Sequence, residues 1–265
     1  MTKKAIGVFD SGLGGLTILN ALHRTLPHEN LIYFGDTANV PYGSKSKEAV
    51  TRLSLAIGRF LQEQNVKLIV VACNTASAQA LDELKKKLAV PVMGVIEPGA
   101  TKAVSVTKNG HIAVLGTEGT VNSKAYPKAL LKKLPNALII QQACPLFVPL
   151  VEENWTNKPA AELIAREYLL PIQQSRADTV ILGCTHYPVL KGVLSRILGE
   201  QVKLVDSADT LAEAAQVFLR KHHLAQTTGK GRITVYASDA PQRFKRLAQI
   251  LLADKISTVH LKKLL

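Results

Sequence analysis

The sequence is poor in cysteine, and its three cysteines do not form a disulfide framework or a metal-binding pattern. Cys73, Cys144 and Cys184 contain no C-x-x-C pair, the spacing that zinc ribbons and dithiol redox motifs use. An odd number of thiols in 265 residues also excludes disulfides as the organising element of the fold. Each cysteine is therefore either a small buried apolar residue or a reactive thiol.

Long hydrophobic runs are also absent, although 47% of the residues are hydrophobic. No apolar run approaches the roughly 20 residues that a membrane-spanning helix requires. The first residues pass from two lysines into a short apolar run, whereas a secretory signal has a longer apolar stretch and a small-residue cleavage site. We therefore expect a cytoplasmic protein without a membrane partner.

Acidic residues are few relative to basic ones: 20 Asp and Glu stand against 33 Lys and Arg, giving a formal net charge of +13. The basic residues are scattered in short groups, and no recognition helix, zinc finger or aromatic stacking motif accompanies them. Specific nucleic-acid binding is not expected, and the positive field favours an anionic substrate. A basic binding protein whose cysteines are merely buried is the alternative from another functional class.

Aromatic residues make up only 5% of the chain, so the core must be mainly aliphatic. Short runs rich in Val, Ile and Leu alternate with longer helical patterns, which is typical of βαβ units and a mainly parallel sheet. The predicted strands are Ile6–Phe9, Leu31–Phe34, Leu68–Val71, Val92–Val95, Ile112–Leu115, Leu138–Ile140, Thr179–Leu182, Lys203–Val205, Ile233–Ala237 and Thr258–Leu261. The clearest helical patterns are Lys47–Gln64, Ser77–Leu88, Ala160–Gln173, Leu211–His222 and Gln242–Leu252.

An internal repeat divides the chain into two similar halves. The segment from Leu68 to Thr75 aligns with the segment from Thr179 to His186, and the run that starts at Ile6 aligns with the run that starts at Ile112. We expect two similar three-layer αβα domains related by a pseudo-twofold axis, with the active site in the cleft between them. The first domain would comprise residues 1–98 and 208–265, and the second residues 99–207.

Cys73 and Cys184 occupy equivalent places in the two repeats, each after a small residue at the end of a predicted buried strand. Because backbone N–H groups at the start of a following helix favour an anion, the thiol pKa is expected to fall from about 8.5. The two halves differ almost everywhere else. A cysteine at both positions therefore indicates a function for the pair.

Two symmetric thiols in one cleft are compatible with several chemistries. Redox pairs usually have C-x-x-C spacing, a thiol hydrolase needs one cysteine with a histidine, and a metal site would need more ligands than the nearby His186. Stereoinversion at carbon fits best, because one group removes a proton from one face while the other delivers a proton to the opposite face. The roles exchange in the reverse reaction, which accounts for the duplication.

Several longer blocks occur together in one order. They are Ile6–Gly15, Tyr33–Gly43, Ala72–Ala76, Gly94–Pro98, Leu115–Thr117 and Gly183–Pro188. Through these blocks the chain resembles, over essentially its full length, the glutamate racemases of the aspartate/glutamate racemase family. The resemblance implies an isomerase that needs no metal or other cofactor, interconverts L- and D-glutamate for peptidoglycan biosynthesis, and is usually a homodimer. An aspartate racemase is the alternative, because substrate length depends on pocket depth.

The resemblance also implies the site residues. Cys73 and Cys184 match the catalytic cysteines, Asp10 and His186 match groups that assist them, and Glu152 and Asp36 match further acidic groups near the site. The positions implied to contact the substrate are Asp10, Ser11, Pro41, Tyr42, Gly43, Asn74, Thr75, Thr117, Thr185 and His186. The N-terminus lacks the extension that some relatives use for control by a cell-wall precursor, so that control is not expected.

Some of these residues also allow a purely structural interpretation. The glycine-rich block after Ser11 has Thr17 in place of the third glycine of a dinucleotide loop, so it is either a tight turn or a carboxylate site. Asp10 is also suited to capping the next helix, and His186 to a surface position. Cys144 has no counterpart in the other repeat and is interpreted as structural.

Overall fold

The computed structural model describes residues 4–251 and 258–264. Within them, parallel strands alternate with helices along the chain. Strands β1 to β10 are Ile6–Asp10, Leu31–Gly35, Leu68–Val71, Val92–Gly94, His111–Gly116, Leu138–Ala143, Thr179–Gly183, Lys203–Val205, Ile233–Ala237 and Val259–Leu261. Helices α1 to α12 are Leu16–Thr25, Lys47–Glu63, Asn74–Gln79, Leu81–Lys87, Ile96–Val106, Glu118–Asn122, Ala125–Lys133, Phe147–Glu152, Pro159–Gln174, Lys191–Leu198, Ser207–Lys221 and Pro241–Leu251, and a 3-10 helix covers Tyr187–Leu190.

The strands form two separate parallel sheets. The first has the order β10-β9-β2-β1-β3-β4, and the second has the order β6-β5-β7-β8. All of the strand pairs described are parallel. The prediction of an α/β protein with two mainly parallel sheets in similar units is confirmed.

The internal repeat is visible in the strand order. In the first sheet β1 lies between β2 and β3, and β4 follows β3; in the second, β5 lies between β6 and β7, and β8 follows β7. Phe9 pairs with Val71 in the first sheet, as Leu115 pairs with Leu182 in the second. The carboxyl ends of β3 and β7 are therefore equivalent positions, and the C-terminal strands β9 and β10 extend the first sheet beyond β2.

The central strands are buried on both faces, as their continuous apolar runs predict. Every residue of β1, β3 and β7 is buried. One aliphatic cluster runs through both sheets and includes Val8, Val70, Val114 and Ile181 together with residues of α1, α5 and α11. Each such side chain contributes about 1.5–3 kcal/mol by its removal from water, so this shared core holds the two sheets together.

The structure differs from the sequence-based elements mainly at helix ends. The predicted helix Ser77–Leu88 is two helices in the structure: α3 begins earlier, at Asn74, and α4 begins after Ala80, which ends α3 with φ −115° and ψ −13°. Helix α11 also begins earlier than predicted, because the Asp206 side chain accepts a hydrogen bond from the Ala208 N–H and caps it. Thr258 lies outside β10. Leu252, the predicted end of the last helix, lies outside the described residues.

Across the part of the chain that the structure describes, no helix combines the length and apolarity needed to cross a bilayer.

Candidate active site

The two candidate thiols and most of the polar groups around them lie where β1, β3, β5 and β7 end, whereas Pro41, Tyr42 and Gly43 lie in the loop after β2 and Glu152 ends α8. Such carboxyl ends are the usual ligand-binding edge of a parallel sheet. Asp10 ends β1, and Cys73 and Cys184 follow β3 and β7. All three are buried, with exposed fractions of 0%, 5% and 7%. The site is therefore shielded from water and built by short turns between strands and helices.

Cys73 caps the short helix α3. Its Sγ accepts a hydrogen bond from the Ala76 N–H at 3.5 Å and lies 3.8 Å from Ser11 Oγ, to which the thiol donates. Burial, followed by the charge of Asp10, raises the pKa of the Cys73 thiol to about 12. The prediction that the helix start lowers this pKa is wrong, because desolvation outweighs one long N–H···S contact.

Cys184 lies beside a histidine and a carboxylate. Its Sγ is 3.8 Å from His186 Nδ1, and His186 Nε2 is 3.2 Å from Glu152 Oε1. Burial acts to lower the pKa of His186, but Cys184, Glu152 and Asp10 outweigh it and raise this pKa to about 10. The hydrogen bond with His186 holds the pKa of Glu152 below its usual value. His186 is thus a buried, positively charged neighbour of the Cys184 sulfur.

Asp10 connects the two halves of the site. Its carboxylate accepts hydrogen bonds from the Gly12 N–H at 3.0 Å and from Thr185 Oγ1 at 3.4 Å. Burial raises its pKa, although His186 and the backbone N–H groups oppose this effect. A Cβ atom on Gly14 would lie 2.2 Å from Thr185 Oγ1, so only glycine allows the loops after β1 and β7 to approach this closely.

The two thiols belong to one electrostatic network although their apolar neighbours differ. Cys73 packs with the core around Phe9, and Cys184 packs with the core around Leu182. A charge on Cys184 contributes to the raised pKa of Cys73, and Asp10 acts on both Cys73 and His186. Polar groups therefore occupy the region between two apolar cores, each of which supplies one sulfur.

A cluster of hydroxyl groups lies across the two repeats. Thr75 Oγ1 is 2.9 Å from Thr117 Oγ1 and 3.4 Å from Thr120 Oγ1, and Thr117 caps α6 through the Thr120 N–H. Gly43 lies against this cluster: its carbonyl oxygen accepts a hydrogen bond from the Gly119 N–H at 2.8 Å. Sequence reasoning missed Thr120, although its position three residues after the capping Thr117 was a usable signal.

Tyr42 is buried and held by Asp36. Its hydroxyl donates to Asp36 Oδ2 at 2.6 Å, and Ser238 Oγ and Asn39 Nδ2 donate to Asp36 Oδ1 at 2.7 and 3.0 Å. Burial and the Asp36 charge raise the pKa of Tyr42, so the phenol stays protonated. Pro41 beside it is exposed. Asp36 thus contacts the site through Tyr42.

Asn74, next to Cys73, has a partner that the sequence did not indicate. The Tyr126 hydroxyl donates to Asn74 Oδ1 at 2.8 Å, and both side chains are buried.

Cys144, by contrast, packs in the second core with its thiol 3.6 Å from the Gln142 carbonyl oxygen. Among residues 4–251 and 258–264, no group of three or more His, Cys, Asp or Glu side chains has the arrangement of a metal site.

Comparisons with known proteins agree with this arrangement. Residues 6–215 match the sequence profile of the Asp/Glu/hydantoin racemase family. A glutamate racemase of Geobacter metallireducens is 51% identical over 261 residues, which cover 98% of this chain and 97% of the relative.

Two solved structures are similar over nearly the whole fold. Glutamate racemase isoform RacE1 of Bacillus anthracis is 36% identical with a TM-score of 0.96, over 99% of both chains. Glutamate racemase of Francisella tularensis, solved in complex with D-glutamate, is 36% identical with a TM-score of 0.93, over 99% of this chain and 98% of that one. The chain belongs to the Asp/Glu/hydantoin racemase family.

Proposed function

We propose that this protein is a glutamate racemase that interconverts L- and D-glutamate by proton transfer to and from Cα, with Cys73 and Cys184 as the two proton-transfer groups. The observation that carries the proposal is the placement of two buried thiols at equivalent strand ends of the two sheets. Both lie in one network of polar groups around Asp10. The glutamate racemases similar over the whole chain support the choice of substrate.

The surroundings of the thiols support a two-base mechanism. The Cys73 thiol donates a hydrogen bond to Ser11 Oγ in the free protein, and the nearby Asp10 carboxylate is suited to receive or orient the thiol proton. On the other side, the charged His186 ring stabilises negative charge that forms on the Cys184 sulfur, and Glu152 holds the ring in place. One thiolate removes the α-hydrogen, and the opposite thiol delivers a proton to the other face.

The remaining site residues are suited to holding an amino acid. Hydroxyl groups of Ser11, Thr75, Thr117 and Thr185 and the amide of Asn74 offer neutral donors for carboxylate oxygens. Gly43 packs against Thr117, and the exposed Pro41 and the buried Tyr42 precede it in the same loop. Because the α-hydrogen is a very weak acid, donors fixed in a site shielded from water are needed to stabilise the carbanion-like state.

The test is the loss of optical activity. Purified protein should racemise L-glutamate, followed by circular dichroism, and should act far more slowly on L-aspartate. Cys73→Ser and Cys184→Ser should each reduce the rate by about 10²–10⁴-fold, the usual contribution of a general acid or base. Cys144→Ser is the matched control, because Cys144 is a buried free cysteine whose thiol donates to the Gln142 carbonyl oxygen rather than to a site residue, and it should keep its activity. Full activity in either site variant would contradict the two-base mechanism.

Heavy water tests the same mechanism independently. With two bases, the enantiomer formed carries solvent deuterium at Cα from the start, while the remaining substrate keeps its hydrogen in early turnover. The experiment is run separately from L- and D-glutamate. Product that keeps the substrate hydrogen, or early deuterium in the recovered substrate as well as in the product, would indicate a single base.

We further propose that the enzyme is a cytoplasmic homodimer that supplies D-glutamate for peptidoglycan. Its first domain would comprise residues 1–98 and 208–265, and its second domain residues 99–207. The pairing of β9 with β2 supports a first domain completed by the C-terminal segment. Sedimentation velocity tests the dimer, and growth of a D-glutamate auxotroph carrying this gene tests the biosynthetic role.

A further inference from the structure

Tyr126 touches both halves of the candidate site although it was not among the predicted site residues. It lies on α7, in the crossover between β5 and β6, and is 0% exposed. Its hydroxyl donates to Asn74 Oδ1 at 2.8 Å, directly after Cys73. Its ring packs on the residue directly before Cys184, because a Cβ atom on Gly183 would lie 3.2 Å from a ring carbon.

The same side chain also lies where the chain passes between the sheets. The ring and hydroxyl are 3.4 Å from the position of a Cβ atom on Gly99, in α5, and the hydroxyl is 3.4 Å from Ser207 Oγ, at the start of α11. Helix α5 leads from the first sheet to the second, and α11 leads back. Tyr126 therefore contacts the residues that flank the two thiols and both connections between the sheets.

The packing of the Tyr126 ring in the core does not explain why this residue carries a hydroxyl group. A phenylalanine would fill the same space among the apolar residues of the shared core. The hydroxyl instead donates to an amide oxygen, and burial raises the pKa of Tyr126 so that the phenol remains a donor. A donor on Oδ1 fixes the orientation of the Asn74 amide and directs its two N–H groups away from Tyr126.

We propose that Tyr126 is a positioning residue for substrate binding: it holds the Asn74 amide so that the N–H groups face the carboxylate of the bound amino acid. This inference rests on the proposed function, in which Asn74 is one of the carboxylate donors. Without the Tyr126 hydroxyl, the amide rotates between two orientations, one of which presents its oxygen to the anionic substrate. Loss of the Tyr126 hydroxyl should therefore weaken substrate binding and leave the rates of the proton transfers at Cα nearly unchanged.

Tyr126→Phe tests this role directly. The KM for glutamate should rise roughly three- to tenfold in both directions, the range expected for one hydrogen bond, while kcat changes less than about twofold. Tyr187→Phe is the matched control, because Tyr187 is equally buried and its hydroxyl donates to the Cys144 carbonyl oxygen at 2.9 Å. It should lose a similar amount of thermal stability and keep its KM.

A double-mutant cycle separates positioning from general loosening of the core. In an Asn74→Ala background, Tyr126→Phe should have no further effect on KM, because the amide through which it acts is gone. An equal KM increase in both backgrounds, or the same increase in Tyr187→Phe, would overturn the inference.

Asn74→Asp tests the role of the Asn74 amide in a protein that keeps Tyr126, so the result does not depend on the folding of any Tyr126 variant. The carboxylate still accepts from Tyr126 but replaces the N–H donors, so KM should rise more than tenfold with the melting temperature retained. An unchanged KM would overturn the inference. Wild-type protein without racemase activity would instead refute the proposed function, so the two failures are distinguishable.

Discussion

The two thiols that we propose as bases differ in their immediate partners. Cys73 faces a carboxylate and a serine hydroxyl, whereas Cys184 faces an imidazole that a second carboxylate holds. The duplicated strands thus place the two sulfurs at equivalent positions, but different polar residues lie beside each sulfur. In the protein without substrate, the raised pKa of Cys73 keeps its thiol protonated, and the charged His186 ring lies 3.8 Å from the Cys184 sulfur.

We expect Glu152→Gln to lower the pKa of His186. The raised value of about 10 depends in part on the 3.2 Å contact with Glu152. Loss of a charge-assisted hydrogen bond of roughly 1.5–3 kcal/mol corresponds to a fall of about one to two pH units. An NMR titration of the His186 ring protons measures this change, with a His186→Gln variant to assign the signal. An unchanged midpoint would show that Cys184 and Asp10 alone hold the charge.

The same pair predicts a window of pH in which it stabilises the fold. His186 has a folded pKa above its usual 6.5, so its contribution is complete below that pH and is lost as the pH rises towards about 10. Glu152 has a folded pKa below its usual 4.5, so its contribution is present above that pH and is lost as the pH falls. The unfolding free energy of wild type minus that of Glu152→Gln, from urea melts, should therefore be largest near pH 6. A difference independent of pH would contradict this assignment.

Gly14→Ala should disrupt the contact between the loops after β1 and β7. The new methyl carbon would lie 2.2 Å from Thr185 Oγ1 and 2.7 Å from His186 Nδ1, so the loops must move apart. Overpacking of this kind costs about 1–3 kcal/mol, and the moved ring changes the geometry at Cys184. Racemisation should fall at least tenfold, with a lower melting temperature. Gly192→Ala is the control, because its nearest neighbour lies at 3.9 Å and alanine favours the helix; loss of activity there would indicate a general intolerance of glycine substitution.

The sequence indicated several of the polar side chains that lie beside the two thiols, but not how deeply they are buried or which contacts join the two repeats. The repeat located both cysteines at strand ends, because strand periodicity is a local property of the chain. The pKa of Cys73 was predicted in the wrong direction, since its desolvation depends on Phe9, Tyr42 and other residues distant in sequence. Tyr126 escaped notice for the same reason: its contact with Asn74 joins two repeats, and no local pattern carries it.

At the scale of elements, strands were predicted more accurately than helices. All ten strands occur within a few residues of their predicted bounds, because continuous apolar runs mark strands buried on both faces. The break between α3 and α4 was missed. There Gln79 Nε2 donates to the Gly119 carbonyl oxygen, and Leu81 packs against Gly94, so tertiary contacts override a pattern that suits one helix.

Helix α11 allows a test of how its start contributes to stability. Asp206 caps it through the Ala208 N–H and also pairs with Lys191 on α10. Asp206→Asn keeps a capping oxygen and loses only the ion pair, whereas Asp206→Ala loses both. We expect Asp206→Ala to reduce the unfolding free energy by about 1–2 kcal/mol and Asp206→Asn by less than about 1 kcal/mol.

Ser46→Ala is the reference for Asp206, because Ser46 caps α2 through the Ala49 N–H and makes no such ion pair. It should cost about 1 kcal/mol. Urea unfolding followed by circular dichroism ranks the three variants. If Asp206→Asn were as destabilising as Asp206→Ala, the ion pair rather than the cap would hold the start of α11.

At the scale of the molecule, the C-terminal segment returns to the first sheet and is fixed there by a buried ion pair. Lys67 Nζ lies 2.5 Å from Glu29 Oε2, with side chains 3% and 1% exposed. Lys67 Nζ also donates to the Leu224 carbonyl oxygen at 2.6 Å, and Glu29 Oε1 accepts from the Gln226 N–H at 2.7 Å. Both members of the pair thus bind backbone groups just beyond α11, on the path to β9.

Removal of one member of this pair should therefore be more damaging than removal of both. Glu29→Met leaves the Lys67 ammonium buried without its counterion, and we expect a loss of about 3–5 kcal/mol in unfolding free energy. The double variant Glu29→Met with Lys67→Met removes both charges and keeps apolar volume, so it should recover much of that loss. Urea unfolding of the two single variants and the double variant measures the coupling. Additive losses would mean that each side chain stabilises the fold through its own backbone contact. Recovery in the double variant would show that each charge is needed mainly to neutralise the other, and that the segment after α11 tolerates an apolar replacement of the pair.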